Sequence, residues 1–330
     1  MAKKFKCPHC EHQCTKTEYP EHLKEEHIVE YQKVINDIKN YISNNYNIKE
    51  TAAKVCVTER FVKKVVINKN IIAKEEQGAY KINKLKVKVW EPENFNLETT
   101  TIWGFPDRGS WATHTGKYRG NWSPYIPRNI ILRYSNEGDI VLDQFVGSGT
   151  TIVEAKLLGR KGIGVDINPD SVRLTLANVN FNFEGCGTVE VHNGDARNLY
   201  FIKSESVDLI CTHPPYADII KYSNNIVGDL SHYDINNFLK EMECVCEECF
   251  RVLKKGKFCA ILIGDTRKKG HILPLGFNVM QVFSNSGFSL KEIIIKEQHN
   301  CRSTAYWRNK SIKYNFFLIA HEYLFVFKKP

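Results

Sequence analysis

The sequence has no run of about 18 uncharged apolar residues, which excludes a helix that crosses a membrane. Its start, MAKKFKCPHC, has no apolar segment behind the basic residues, so the pattern of a secretory signal is missing too. There is no internal repeat and no low-complexity tract, which sets aside solenoids and biased tails. Large apolar residues are scarce in the first 30 positions, too few for a core of their own. The expectation is a soluble, cytoplasmic protein whose 330 residues hold one large domain and one or two small modules. Its 11 cysteines are scattered through a chain without export signals, which points to reduced thiols and one metal site. The formal charge of +9 suits a polyanionic partner without identifying one.

What is present changes character along the chain. Residues 1–30 are rich in Cys, His, Lys and Glu, and 31–70 show helical spacing in three blocks, separated by NNYN and by Cys56-Val57. Residues 71–100 read as a linker or edge element, in which KINKLKVKVW alternates charged and apolar residues as a half-exposed strand does. From 101 to 330 short β-branched runs (DIVLD, KGIGVD, TVEVHN, VDLICT, KFCAILIG, KEIIIK, HEYLFVF) alternate with helical stretches. That alternation predicts an α/β domain with its ligand site at the carboxyl ends of the strands.

Two runs in this region carry chemistry. DIVLDQFVGSGTTIVEAKLLGRKGIGVD is a strand ending in Asp143, a turn through Phe145, Gly147 and Gly149, a helix opening at Thr150-Thr151, and a second strand ending in Asp166. The glycines let backbone approach a ligand, and the acid after the second strand can accept both hydroxyls of a ribose. A P-loop would end in Lys-Ser/Thr, and the full dinucleotide glycine pattern is also missing. About 60 residues on, VDLICTHPPYADIIKYS places His213-Pro214-Pro215-Tyr216 directly after another strand.

Together these runs closely resemble the paired signatures of S-adenosylmethionine-dependent DNA amino-methyltransferases, which act on cytosine N4 or adenine N6. The resemblance covers roughly Trp103 to Lys329 and implies a Rossmann-like, seven-stranded methyltransferase sheet. It also implies that Asp195, in the Gly194-Asp195 turn, meets the cofactor's adenine, and that ATHTGKYRGNWSPYIPRNIILRYSNEGD completes the methionine pocket. The Pro-Pro-Tyr loop fits its chemistry. An exocyclic base amine is a poor nucleophile because its lone pair is delocalised, and acceptors on its two hydrogens draw that pair toward the methyl group. The carbonyl of Pro214 and the side chain at 213 would be those acceptors, with Tyr216 offering a stacking face to a flipped base. The family carries Asp, Asn or Ser where this chain has His213. A neutral imidazole still accepts one bond, and with an ordinary pKa of about 6.5 its protonation should reduce activity from about pH 6 to 7, lower if the ring is buried. No proline is followed by cysteine, so carbon-5 cytosine chemistry is excluded. Thr212 resembles the Thr-Ser-Pro-Pro-Tyr version of cytosine-N4 enzymes, a slight tilt toward cytosine.

At the N-terminus, Cys7, Cys10, His22 and His27 have C-x2-C-x11-H-x4-H spacing, close to a C2H2-type zinc finger, with Cys14, His9 and His12 as nearby substitutes. In NIKETAAKVCVTERFVKKVVINKN, Asn47 and Glu50 suit a capping box and Thr58 a second cap, as in a helix-turn-helix with Arg60, Lys63 and Lys64 turned to DNA. Through residue 100 the chain has 18 Lys plus Arg against 14 Asp plus Glu, so any grip on DNA needs local clustering. Cys244, Cys246 and Cys249 lie in an amphipathic stretch and are expected to be packing residues.

The domains expected are thus a zinc finger at 1–30, a helix-turn-helix at 31–70, a linker at 71–100 and the methyltransferase at 101–330. The function expected is site-specific methylation of double-stranded DNA, nucleoid-associated, in a bacterial modification or restriction-modification system with a cognate nuclease. Because the chain ends on the last strand of the catalytic half, selectivity is expected from the first 100 residues, the loop after Tyr216, or another protein. An RNA guanine-N2 methyltransferase shares the Pro-Pro-Tyr loop and stays open as an alternative, as does a DNA-binding regulator with an inactive methyltransferase fold.

Overall fold

The computed structural model describes residues 4–43, 46–63, 65, 87, 89–217, 226–268, 270–299 and 304–330. It divides into two compact units, Met1–Ala79 and Tyr80–Pro330.

In the first unit, β1 (Phe5–Lys6) and β2 (Gln13–Cys14) form a small hairpin, followed by α1 (Tyr19–Glu26), α2 (Ile28–Ser43) and α3 (Ile48–Lys54). Asn47 caps α3 with the full capping box: its side chain accepts from Glu50 N at 2.9 Å, while Glu50 Oε2 accepts from Asn47 N at 3.2 Å. A turn with Cys56 at φ 56° leads to a fourth helix, α4 (59–63), whose Phe61 N donates to Thr58 Oγ1 at 3.2 Å. Ala52 is buried against the turn, whereas Ala53 is exposed. Leu23 of α1 and Ile38 of α2 share one core with Ala52, Val57 and Val62, so residues 1–30 and 31–70, expected as two modules, are one unit.

The second unit is built on an eight-stranded sheet in the order β3-β11-β12-β8-β7-β4-β5-β6. Its parallel strands are β4 (Ile140–Asp143), β5 (Lys161–Asp166), β6 (Val189–Asn193), β7 (Val207–Thr212) and β8 (Leu253–Ile263). β12 (His321–Lys328) runs antiparallel between β8 and β11 (Ser289–Glu297). The seven expected strands are all present, and the expected count is corrected by β3 (Ile102–Gly104). This eighth strand adds to the edge because Ile295 N donates to Thr101 O at 2.8 Å and Trp103 is buried beneath it. The helices are α5 (Tyr125–Tyr134), α6 (Thr150–Leu157), α7 (Pro169–Asn178), α8 (Ile235–Val252), α9 (Leu275–Asn285) and α10 (Thr304–Lys313). A short hairpin, β9 (Thr266–Lys268) and β10 (His271–Leu273), follows β8.

Strand alternation divides the core in two. Leu142, Ile210, Ile261 and Phe325 pack toward α8 and α9, while Val141, Leu209, Ala260 and Leu324 pack toward α5. Cys246 and Cys249 are core residues of α8, as expected. Most of KINKLKVKVW lies outside the described residues, but the Trp90 ring packs at a tilt against Phe181 and Phe183, with centroids 5.2 and 5.0 Å apart. The end of the expected linker therefore belongs to the catalytic unit. No helix among the described residues is long and apolar enough to cross a membrane.

Candidate active site

The turn after β4 is made by its glycines. Gly147 (φ 53°) brings backbone against the Tyr118 ring, where a Cβ would stand 3.1 Å from it. Gly149 (φ 85°) caps α6 so close to Thr175 that a Cβ would lie 2.8 Å from Cγ2. Asp143 ties three elements together, accepting from Thr151 Oγ1 on α6 at 2.6 Å, Thr212 Oγ1 on β7 at 2.7 Å and Phe145 N at 3.1 Å. Burial still pushes its carboxyl up to about 6. Thr212, which suggested cytosine, is thereby occupied in joining β7 to β4.

These elements open on a cleft. Asp143, Phe145, Gly147, Thr150, Asp166 and Asp195 line it, and so do His213 and Pro215. Gly149, Thr151, Pro214 and Tyr216 are not among the lining residues. Asp166 accepts from Gly147 N at 2.9 Å and Asn168 N at 2.8 Å, and burial pushes it up to about 7. Asp195 is already engaged by Arg197, whose Nε donates to Oδ1 at 2.8 Å, so the carboxylate is fixed in the wall.

Other wall residues went unread individually in the sequence: Tyr118, Asn121 and Trp122 from the segment before α5, and Asn168, Ser171 and Asp229 from beyond the strands. The buried Glu154 of α6 holds that first segment, accepting from Trp111 Nε1 and His114 Nε2, each at 2.7 Å, and from Arg128 Nη1 at 3.0 Å. An acid among the apolar residues of IVEAKL was the available signal.

His213 stacks on Trp122, with ring centroids 5.5 Å apart, and its Nε2 lies 3.2 Å from the Tyr216 hydroxyl. That hydroxyl is 2.6 Å from Glu322 Oε1, and Lys296 Nζ is 2.8 Å from Glu322 Oε2. Burial raises the Glu322 carboxyl, but Lys296 foremost, together with His213 and the Tyr216 hydroxyl, more than offsets this and holds it below its ordinary value. Glu322 is thus an acceptor, the single hydroxyl hydrogen of Tyr216 goes to it, and the tyrosine oxygen can only accept from His213. This makes Nε2 of His213 the N–H and leaves the Nδ1 lone pair as acceptor. Burial pushes the imidazole down to about 4, which corrects the expected acid limb at pH 6 to 7: the ring stays neutral well below that range.

In the first unit, the ligand atoms of Cys7, Cys10, His22 and His27 all lie within 4.8 Å of one another. Two backbone amides, His9 N and His12 N, each stand 3.5 Å from the sulfurs of Cys7 and Cys10, and His27 Nε2 is buried with no hydrogen-bond partner. Cys14, His9 and His12 are outside this cluster. Arg60 and Lys63 are exposed on α4, and Lys64 lies outside the described residues.

The profile of the DNA methylase family matches residues 10–177 and 207–330. The chain belongs to the DNA methylase family. The α/β sheet is accordingly that of a methyltransferase, and the family supports S-adenosylmethionine as the cofactor. A second profile, the RMKL-like methyltransferase domain, matches residues 131–253. The type II methyltransferase M.HpaI of Haemophilus parainfluenzae is 46% identical over 61 residues, 18% of this chain and 19% of that enzyme. A tRNA (guanine(10)-N2)-dimethyltransferase of Methanothermobacter thermautotrophicus is 38% identical over 101 residues, 30% of this chain and 29% of that enzyme. The chain thus spans less than a third of the length of either relative. A solved SAM-dependent methyltransferase of Methanosarcina mazei, 18% identical, aligns with a TM-score of 0.41 over 61% of this chain and 96% of its own.

Proposed function

We propose that the protein methylates an exocyclic amino group of a flipped base in double-stranded DNA, at cytosine N4 or adenine N6. The observation that carries this reading is that His213 and Pro215 line the same cleft as Gly147, Asp166 and Asp195. S-adenosylmethionine, when bound, supplies a methyl group on a sulfonium that an amine can displace directly. Asp166 holds the ribose and Asp195 meets the adenine. Nδ1 of His213 and the carbonyl of Pro214 accept the two amino hydrogens and localise the lone pair for attack. Trp122 and Tyr216 keep the imidazole in place.

Cys7, Cys10, His22 and His27 hold one zinc ion in this reading. Two thiolates and two imidazoles suit a tetrahedral site, and the orphaned His27 nitrogen needs a partner. The zinc-bound unit, with Arg60 and Lys63 of α4 and with Lys64 after it in the sequence, then contributes DNA contacts and selectivity. The setting would be a bacterial modification system, with or without a cognate nuclease.

The similarity to a tRNA guanine-N2 enzyme favours one second reading, methylation of guanine N2 in RNA. Expression in a host free of DNA methylation, followed by single-molecule sequencing of its genome, separates the two. The DNA reading expects one short motif carrying N4-methylcytosine or N6-methyladenine. An unmodified genome, with N2-methylguanine appearing in the host's RNA, would favour the second.

A further inference from the structure

We infer that the β11–β12 connection, with α10 at its centre, binds duplex DNA beside the catalytic loop. The placement follows from the sheet. β11 runs parallel to β7 and β8, and β12 antiparallel to them, so this connection leaves the sheet at the same rim as the loop after β7. The chain returns directly into Glu322, which holds the Tyr216 hydroxyl. The β9–β10 hairpin leaves from that rim as well, and Arg267 Nη2 ties it to Phe317 O at 3.0 Å.

The chemistry of the connection is one-sided. From Gln298 to Ala320 there is no Asp or Glu, and from Thr266 to Lys291 there is none either. Among the described residues, Lys268, Arg308, Lys310 and Lys313 make no ion pair. Lys310 and Lys313 instead lie over rings, with Nζ of Lys310 5.3 Å from the Tyr306 centroid and that of Lys313 5.4 Å from the Tyr314 centroid. A ring face orients an ammonium group without neutralising it, so the positive charge remains available to phosphate.

Apolar exposure sits in the same place. Trp307 is 49% exposed and Phe317 92%, on a segment next to a site that must receive a base taken out of its stack. A solvated basic face explains the lysines but not the bare aromatic rings between them. Cations that grip phosphates flanking the target, with rings covering the unstacked gap, account for both. This surface differs from Arg60, Lys63 and Lys64, the residues expected to contact DNA, and it rests on the proposed DNA reading.

The test uses the full chain and a fluorescein-labelled 25-base-pair duplex, with anisotropy measured from 50 to 300 mM salt. The triple variant Arg308→Ala/Lys310→Ala/Lys313→Ala should flatten the slope of log affinity against log salt by about 2 to 3, near 0.9 per lost phosphate contact. Binding at 100 mM salt should weaken by roughly 10²-fold, with S-adenosylhomocysteine affinity unchanged. Lys161→Ala/Lys203→Ala/Lys255→Ala, which removes equal charge from exposed positions, should change the slope little. Trp307→Ala/Phe317→Ala should weaken binding by roughly tenfold and leave the slope alone. The proposal is overturned if the first triple binds like the parent, if the control triple weakens binding equally, or if the loss appears only with structured RNA. Methylation of the duplex by the parent, scored separately, shows whether the DNA reading itself stands.

Discussion

Around Leu23 and Ile38 the N-terminal unit buries nine apolar or thiol side chains among the described residues, and two of these are Cys7 and Cys14. In the catalytic unit, by contrast, helices cover both faces of the central strands, and every residue of β7 is buried. The contrast teaches where each unit's order comes from. A core that thin needs a staple, and the Cys/His cluster is placed to be one. The large sheet needs none, and can hold polar networks such as Asp143 with its two threonines at the cleft wall.

The largest effect should therefore come from removing metal. Cys10→Ser, or chelation of the full chain, is expected to abolish amide-exchange protection across residues 5–62 while strands β4 to β8 keep theirs. Equal loss in both units, or none in the first, would break the comparison.

Within the catalytic unit, Asp166→Ala should weaken S-adenosylhomocysteine binding by roughly 10²-fold or more, since a charged acceptor for two hydroxyls is lost. Calorimetric titration measures this, and a preserved unfolding transition distinguishes it from collapse of the turn. His213→Ala should slow single-turnover methyl transfer by roughly 10²-fold with cofactor affinity little changed, and His213→Asn should retain more activity because an amide oxygen can accept the same bond.

A smaller effect separates the two sides of the cleft by pH. Burial pushes Asp166 up to about 7, and in the proposed reading the ribose requires its carboxylate. Cofactor affinity should thus be constant above pH 7 and fall by up to tenfold per unit below it. His213, already neutral down to about 4, should leave the single-turnover rate flat from pH 8.5 to 5.5 once cofactor is saturating. Titration and rapid-quench series across that range check both. The smallest change expected is Asn47→Ala, which removes the cap of α3 and should cost the N-terminal unit about 1 kcal/mol in denaturant unfolding, without touching the catalytic unit.

The parts of the protein that were legible in the sequence are those in which a short spacing determines a local geometry. Gly147 and Gly149 mark a turn that only glycine fills, Asn47 and Glu50 a cap, and Cys7, Cys10, His22 and His27 one cluster. What was not legible depends on partners far apart in the chain. Glu322 follows Tyr216 by 106 positions, and only the antiparallel β12 brings them to 2.6 Å. The tautomer of His213 depends on that contact, and its lowered pKa on how deeply the fold buries the ring, which the residue's neighbours in sequence do not determine. β3 is three residues long and is a strand only because β11 lies beside it.

The central claim is that one cleft carries both the cofactor and the amine-activating loop of a DNA amino-methyltransferase. Incubating the purified full chain with methyl-labelled S-adenosylmethionine and either genomic duplex DNA or total tRNA, then digesting to nucleosides, tests it most directly. The account predicts label in N4-methyldeoxycytidine or N6-methyldeoxyadenosine, lost in both Asp166→Ala and His213→Ala. Label confined to N2-methylguanosine of the tRNA, or DNA labelling that survives His213→Ala unchanged, would contradict it.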